Sequence, residues 1–213
     1  IILQTDLKNK EMALQAANEV LENQQAAMAA QAEQIDALIG IRPRIITALS
    51  SALSSANLSA TVDHSTGDIV LDSSVLFDTG KSEIRAEGKA LLDRFVPVYL
   101  NVLLRDEYSA YLGEIIIEGY TDSTGDYYNN LKLSQDRALS VATYILKMPG
   151  LTTRQRDLLK SGLLTGRGAT GLIYDQYGNE DKEASRRVEF HFSLKDSEMI
   201  DQMNRLLQQT EGD

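Results

Sequence analysis

The stretch Ile115-Ile116-Ile117-Glu118-Gly119-Tyr120-Thr121-Asp122-Ser123-Thr124-Gly125, continuing to Leu133-Ser134-Gln135-Asp136-Arg137-Ala138, constrains the fold more than any other part of the chain. Three consecutive β-branched residues read as a short strand buried on both faces. The Gly, Thr, Asp and Ser that follow end the strand and supply turn chemistry. Beyond them, apolar residues at 138, 141, 142 and 145 form the stripe of an amphipathic helix. Strand, loop and helix in that order place Asp122 at a strand end and Arg137 in the helix that follows. Asn130, Ser134 and Arg137 are spaced four and three apart, so they share one helix face beside the buried stripe. A helix folded back along the strand brings that polar edge toward Asp122. One anion and one cation at a cleft rim suit a zwitterion, with an ammonium on Asp122 and a carboxylate in the planar fork of Arg137. A plain Asp-Arg salt bridge at a strand end meets the same spacing, and the spacing alone leaves both readings open.

Two flanking segments add to this one. Upstream stands Val75-Leu76-Phe77-Asp78-Thr79-Gly80-Lys81-Ser82-Glu83-Ile84, followed by Glu87-Gly88, and downstream stands Ser185-Arg186-Arg187-Val188-Glu189-Phe190. With Gly119-Tyr120-Thr121-Asp122, Gly125, Asn130, Leu133-Ser134 and Arg137-Ala138 between them, the three segments in this order resemble the OmpA-like peptidoglycan-binding domain. That domain is shared by the C-terminal parts of OmpA, Pal and MotB. The resemblance covers roughly residues 68–195. It implies an α+β fold, a mixed β-sheet covered by helices. It also implies that Asp122 and Arg137 bind the diaminopimelate of the peptidoglycan stem peptide, whose end carries an α-ammonium and an α-carboxylate. Thr121, Ser123, Asn130, Asp78 and Gly80 then line the pocket, and one of Arg186 and Arg187 reaches the ligand. Strand parity points those two arginines to opposite faces without choosing between them. The family often has Asn where this chain has Gly80, so one pocket side chain is missing here.

Residues 1 to about 39 hold no Gly or Pro and are rich in Ala, Gln, Glu and Leu, all good helix formers. Leu7, Leu14, Leu21, Met28 and Ile35 recur at an interval of seven, the period of a left-handed coiled coil. The companion column is Leu3, Lys10, Ala17, Gln24, Gln31 and Leu38, half of it polar, so the expected homodimeric stalk is of modest stability. Gly40-Ile41-Arg42-Pro43 reads as a helix break, because Pro cannot continue the hydrogen-bond ladder. The expected organisation is a coiled-coil stalk at 1–39, a linker helix at 40–57, the binding domain at 58–195 and a C-terminal helix and tail at 196–213. Within the domain, Leu58 to Val62 and Ile69 to Leu71 flank a polar tip and read as a hairpin. Phe77 closes a further short strand, and Pro97 is expected to kink or divide the helix that follows. Leu151 to Lys160 reads as a short helix, and a strand begins at Leu163. The alternation from Val188 to Lys195 reads as a half-buried strand.

Several functions are disfavoured. A formal charge of −10 with no basic cluster argues against nucleic acid. No cysteine means no disulfide and no thiolate metal site. The two histidines, His64 in a turn and His191 on the polar face of the last strand, are far apart in sequence and give no catalytic triad or zinc set. Gly166-Arg167-Gly168-Ala169-Thr170-Gly171 matches G-x-G-x-x-G, yet no helical period follows it, so a dinucleotide site is not expected. The expected protein is not an enzyme and takes no cofactor. The resemblance and the stalk favour a MotB-like arrangement in the periplasm, with a membrane anchor upstream of Ile1 and an inner-membrane motor-type partner subunit. The domain would tether the stator of an ion-driven motor, or a Zorya-type system, to the wall. A structural adaptor that kept the fold but binds a protein partner is the competing expectation.

Overall fold

The computed structural model describes residues 2–58 and 60–195. Helix α1 is Ile2–Ser55, and strands β1, Thr61–Val62, and β2, Ile69–Asp72, follow as a hairpin. A single helical turn, α2 at Ser73–Leu76, leads to α3, Ala86–Leu103, and the short α4, Asp106–Ser109. The middle of the domain is β3, Leu112–Tyr120, α5, Tyr127–Lys147, and α6, Thr153–Ser161. It ends with β4, Leu163–Gly168, α7, Lys182–Ser185, and β5, Arg187–Leu194. The chain divides into two units at Gly40/Ile41.

In the second unit the five strands form one mixed sheet in the order β1-β2-β5-β3-β4. β5 pairs antiparallel with both β2 and β3, while β4 lies parallel to β3 after the crossover through α5 and α6. The alternation of the sequence decides which face is dry. Val188, Phe190, Phe192 and Leu194 of β5 and Ile115 and Ile117 of β3 are buried. They pack with Leu92, Phe95, Val96 and Tyr99 of α3 and Ala138, Val141 and Ile145 of α5. Phe95, Tyr99 and Phe190 meet as an aromatic cluster with ring centroids 5.0 to 5.8 Å apart. Ile116 is only half-buried, so the β3 strand is covered on one face rather than two. The opposite face carries Glu118, Glu189 and His191.

The helix break expected at Pro43 does not occur, and Pro97 does not divide its helix in two. Pro43 lies inside α1 and Pro97 inside α3. Pro43 is exposed, on a side where a carbonyl that loses its donor can meet water. The packing of the opposite face holds the segment in place: Ile41, Ile45, Ile46, Leu49 and Leu53 are at most 5% exposed and belong to the core. Residues 41–55 are therefore a core helix of the domain rather than a linker to it. Val75-Leu76-Phe77 is likewise not a strand. Residues 73–76 form one helical turn capped by Asp72, and Phe77 makes only an isolated bridge to Ile84. The helix expected from Asp196 lies outside the described residues.

Gly119 positions the site. A Cβ there would lie 2.2 Å from the backbone oxygen of Ser134. Only a residue without a side chain lets α5 lie this close to β3, and so brings Asn130 and Arg137 to the strand end.

Candidate functional site

The loop after β3 is held by its own polar groups. The Thr121 amide donates to the Gly168 carbonyl at 2.9 Å, and Asp122 Oδ1 accepts from the Thr124 amide at 2.9 Å. Asp126 caps α5 by accepting from the Asn129 amide. One turn into the helix, Asn130 Nδ2 donates to the carbonyls of Asp122 and Thr124 at 3.2 and 3.0 Å, pinning the loop to α5. Ser134 Oγ accepts from the Gly168 amide at 2.9 Å and ties the same helix to β4.

Two turns beyond Asn130, Arg137 lies 3% exposed. Its Nε donates to the Lys81 carbonyl at 3.0 Å and its Nη2 to the Asp78 carbonyl at 3.4 Å, and its guanidinium stands 5.0 Å from the centre of the Phe77 ring. No carboxylate bonds to it among the described residues. Burial pushes its pKa down to about 10, the nearby Arg186 adds to the fall, and Asp122 opposes it. Asp122 Oδ2 accepts from Arg186 Nη1 at 2.6 Å. Burial alone would raise the Asp122 pKa, but the bonds from Arg186 and from Thr124 outweigh it and hold the carboxyl below its usual value.

These groups surround a cavity of about 580 Å³. Thr121, Asp122, Asn130, Arg137, Asp78, Gly80 and Arg186 all line it, as the sequence reading expects. Arg85, Thr124, Leu133 and Lys182 line it as well; Thr124 and Leu133 lie in the strand-loop-helix stretch singled out above, whereas no sequence pattern marks Arg85 or Lys182. Four cations therefore face two carboxylates, a positive pocket in a chain of net charge −10. The Thr121 hydroxyl is buried without a partner among the described residues.

Two expected members are elsewhere. Ser123 is taken up by Glu180, to which its amide donates at 2.8 Å and its hydroxyl also donates. Arg187 turns to the other face of the sheet. There it bonds Glu189 at 2.5 Å and the carbonyls of Gly171 and Ser185 at 2.8 and 3.2 Å, with its guanidinium 3.9 Å from the centre of the Tyr120 ring. Arg186, the residue that ends α7 just before β5, is the one that lines the cleft. The plain Asp122–Arg137 salt bridge is not formed: Asp122 pairs with Arg186 instead, and Arg137 bonds only to carbonyls among the described residues.

The His191 surroundings went unseen in the sequence. Its Nδ1 lies 2.6 Å from Asp68 Oδ1, and its Nε2 lies 3.3 and 3.2 Å from carboxylate oxygens of Glu118 and Glu189, without in-line hydrogen-bond geometry to either. Glu118, Glu189 and His191 are the one grouping among the described residues that could hold a metal ion. Arg187 pairs with Glu189, while Arg167 and the Tyr120 hydroxyl bind Glu118, so the cluster already holds its own counter-charges. The glycine-rich segment forms the end of β4, and residues 169–181 contain no helix that could seat a pyrophosphate.

Known proteins share parts of this sequence and this fold. Zorya protein ZorB from Escherichia coli (strain ATCC 8739) is 36% identical over 140 residues, 62% of this chain and 59% of ZorB. Outer membrane protein A from Serratia marcescens is 33% identical over 98 residues, 45% of this chain and 26% of that protein. The chain thus spans about half to three fifths of the ZorB relatives and a smaller part of the outer membrane proteins. Among solved structures, a MotB-like protein from Desulfovibrio vulgaris superposes with a TM-score of 0.54 at 20% identity, covering 75% of this chain and 95% of that one, a likeness of fold. The model of the OmpA family matches residues 76–186, a span that includes Asp122, Arg137 and Arg186. That match takes in just over half of the sequence, and the chain belongs to the OmpA family.

Proposed function

We propose that this chain is a non-catalytic peptidoglycan-binding domain that anchors a membrane complex to the cell wall, taking the diaminopimelate of the stem peptide in the cleft. The observation that carries this reading is Arg137, a buried guanidinium on a cavity wall whose described bonds go only to two backbone carbonyls. A buried cation without a counter-charge is unfavourable unless a ligand supplies one. A carboxylate does so, with bidentate geometry open to the donors left over. The ammonium of the same zwitterion goes to Asp122 and competes there with Arg186. The similarity to ZorB and the MotB-like fold favour an inner-membrane complex of the Zorya or stator type, with the domain in the periplasm and the membrane anchor upstream. No helix among the described residues is long and apolar enough to cross a membrane.

Homodimerisation through residues 1–39 is part of the proposal. Leu14, Leu21 and Met28 of the seven-residue column are 63%, 53% and 70% exposed on the single chain, and a parallel second copy would cover them. Sedimentation of residues 1–213 against 41–213 tests it, the shorter chain retaining the core helix; equal association states would refute the stalk.

Binding to purified sacculi tests the cleft. Wild-type protein is expected to pellet with them, and Asp122→Ala and Arg137→Ala to stay in solution. Variants that pellet like wild type would remove the ligand assignment. The closed Asp122–Arg186 pair and the missing side chain at Gly80 favour one other reading, an adaptor that binds a protein partner; wild-type protein that fails to pellet would support it.

A further inference from the structure

Four of the nine tyrosines stand well out of the fold: Tyr127 and Tyr174 are 58% exposed, Tyr128 and Tyr177 80%. Tyrosine rings are among the largest apolar groups a fold can bury, so four left in water are informative. They occupy two segments. Tyr127 and Tyr128 open α5 directly after the cleft loop, their ring centroids 5.5 Å apart at 81°. Tyr174 and Tyr177 sit between β4 and α7, where Tyr174 bridges to Glu180 and Tyr177 lies in a turn closed on Asp175.

The two segments are joined. Glu180, the bridge partner of Tyr174, accepts both bonds from Ser123, the neighbour of Asp122. Lys182 Nζ donates to Thr124 Oγ1 at 3.1 Å, and Lys182 and Thr124 both line the cleft. The tyrosines therefore stand on two joined segments whose neighbouring residues Thr124, Asn130 and Lys182 line the cavity.

We propose that these tyrosines form a saccharide-binding rim, taking the hexopyranose rings of the wall glycan while the cleft holds the stem peptide. The inference rests on the peptidoglycan reading of the cleft. A tyrosine ring offers its face to the C–H face of a sugar and its hydroxyl to the sugar's oxygens. Asp126, Asp175, Glu180 and Asp181 belong to the same two segments, which disfavours an anionic surface and leaves a neutral N-acetyl sugar unopposed. The turns are pre-organised: Asp126 caps α5, and Asp175 accepts from the amides of Tyr177 and Asn179 at 2.8 and 2.9 Å, so little ordering remains for binding. The glycan is also covalently continuous with the peptide in the cleft, so a chain that grips one has the other beside it.

Binding of the 213-residue chain to two probes tests the rim: sacculi stripped of stem peptides by an amidase, with the lactyl carboxylates so freed capped as amides to keep the glycan neutral, and free meso-diaminopimelate. Wild-type protein is expected to bind both. The double variant Tyr128→Ala/Tyr177→Ala should lose about tenfold in affinity for the stripped glycan and keep its affinity for diaminopimelate, while Tyr128→Phe/Tyr177→Phe retains most glycan binding. Arg137→Ala should do the reverse of the alanine pair. Wild-type protein that ignores stripped glycan, or an alanine pair that binds it like wild type, overturns the rim and leaves the cleft standing; a protein-partner surface would give that first result. Wild-type protein that binds glycan but not diaminopimelate overturns the cleft reading instead.

Discussion

Among the described residues two arginines are buried, Arg137 at 3% and Arg187 at 7% exposure, and their charges are met in opposite ways. Arg187 is closed. A carboxylate, two carbonyls and an aromatic face surround it, all supplied by the chain. Arg137 has carbonyls and an aromatic face but no carboxylate, and it faces a cavity. Burial lowers its pKa to about 10, which registers that missing anion. A closed network holds a sheet together, whereas an open one is a seat for something else. Residue type and burial are nearly the same in the two places, so the partner list alone separates structure from site.

The largest effect expected from this contrast is at the closed arginine. Arg187→Ala leaves Glu189 half-buried beside Glu118, its direct cross-strand partner, with one cation fewer. Breaking a buried pair by removing one member typically costs about 3–5 kcal/mol, and a urea midpoint should register it. Binding to sacculi should survive wherever the variant is folded. A loss of less than about 1 kcal/mol would show that the pair behaves as an exposed one and would dissolve the comparison.

The same closed network predicts a dependence on pH. Burial alone would lower the His191 pKa, but Asp68 and Glu189 outweigh it and raise it to about 9; Glu118 also faces the ring, and Arg167 and Arg187 stand on the far side of the carboxylates. A histidine raised in the folded state contributes fully below its unfolded value of about 6.5, and the contribution is lost as pH rises through about 9. The domain should be less stable at pH 10 than at pH 6 by an amount on the order of 3 kcal/mol. His191→Gln should flatten this slope in urea titrations at the two pH values. An unchanged slope would mean that the network is not closed through the histidine.

Much of the cleft was legible because its signals are local. The β-branched run of Ile115 to Ile117 marks a strand, and the spacing of Asn130 and Arg137 places both on one helix face. The family motif then assigns the Asp and the Arg. What was not legible depends on residues far apart in sequence. Arg186 reaches Asp122 across 64 residues, and nothing near either one announces the pair. His191 meets Asp68 and Glu118 only because β2, β5 and β3 lie side by side, so a count of two histidines underrated the site. Pro43 misled for a related reason, as did the expectation that Pro97 could divide its helix. A local rule against Pro in helices was overridden by tertiary packing, seen most plainly in Ile41, Ile45 and Leu49 around Pro43.

At the open arginine the two readouts should separate. Arg137→Met removes a buried charge that has no internal carboxylate and keeps most of the side-chain volume. Stability should therefore change by no more than about 1 kcal/mol, in either direction. Loss of the charge-assisted bonds to a carboxylate should weaken ligand binding by about a hundredfold. Calorimetric titration with meso-diaminopimelate beside a urea melt measures both. A variant that loses stability as heavily as Arg187→Ala would place Arg137 with the closed arginine and remove its distinction as a seat.

The smallest expected effect concerns the turn at residues 78–81, to whose carbonyls Arg137 bonds. Gly80 lines the cavity with φ of +71°, and a Cβ built there would meet nothing within 4 Å. Space is therefore no obstacle, and backbone conformation decides. Asn visits the left-handed region more readily than other residues with a side chain, because its short amide can bond locally. Gly80→Asn should accordingly leave stability within about 0.5 kcal/mol, whereas Gly80→Val, β-branched at positive φ, should lower it measurably. The amide added by the Asn variant supplies a donor and an acceptor on the wall where this chain offers only backbone. If the cleft takes a zwitterion, diaminopimelate affinity should rise by about three- to fivefold, the worth of one modest hydrogen bond. Equal affinity in a variant of unchanged stability would mean that this wall does not touch the ligand, leaving recognition to Asp122, Arg137 and Arg186.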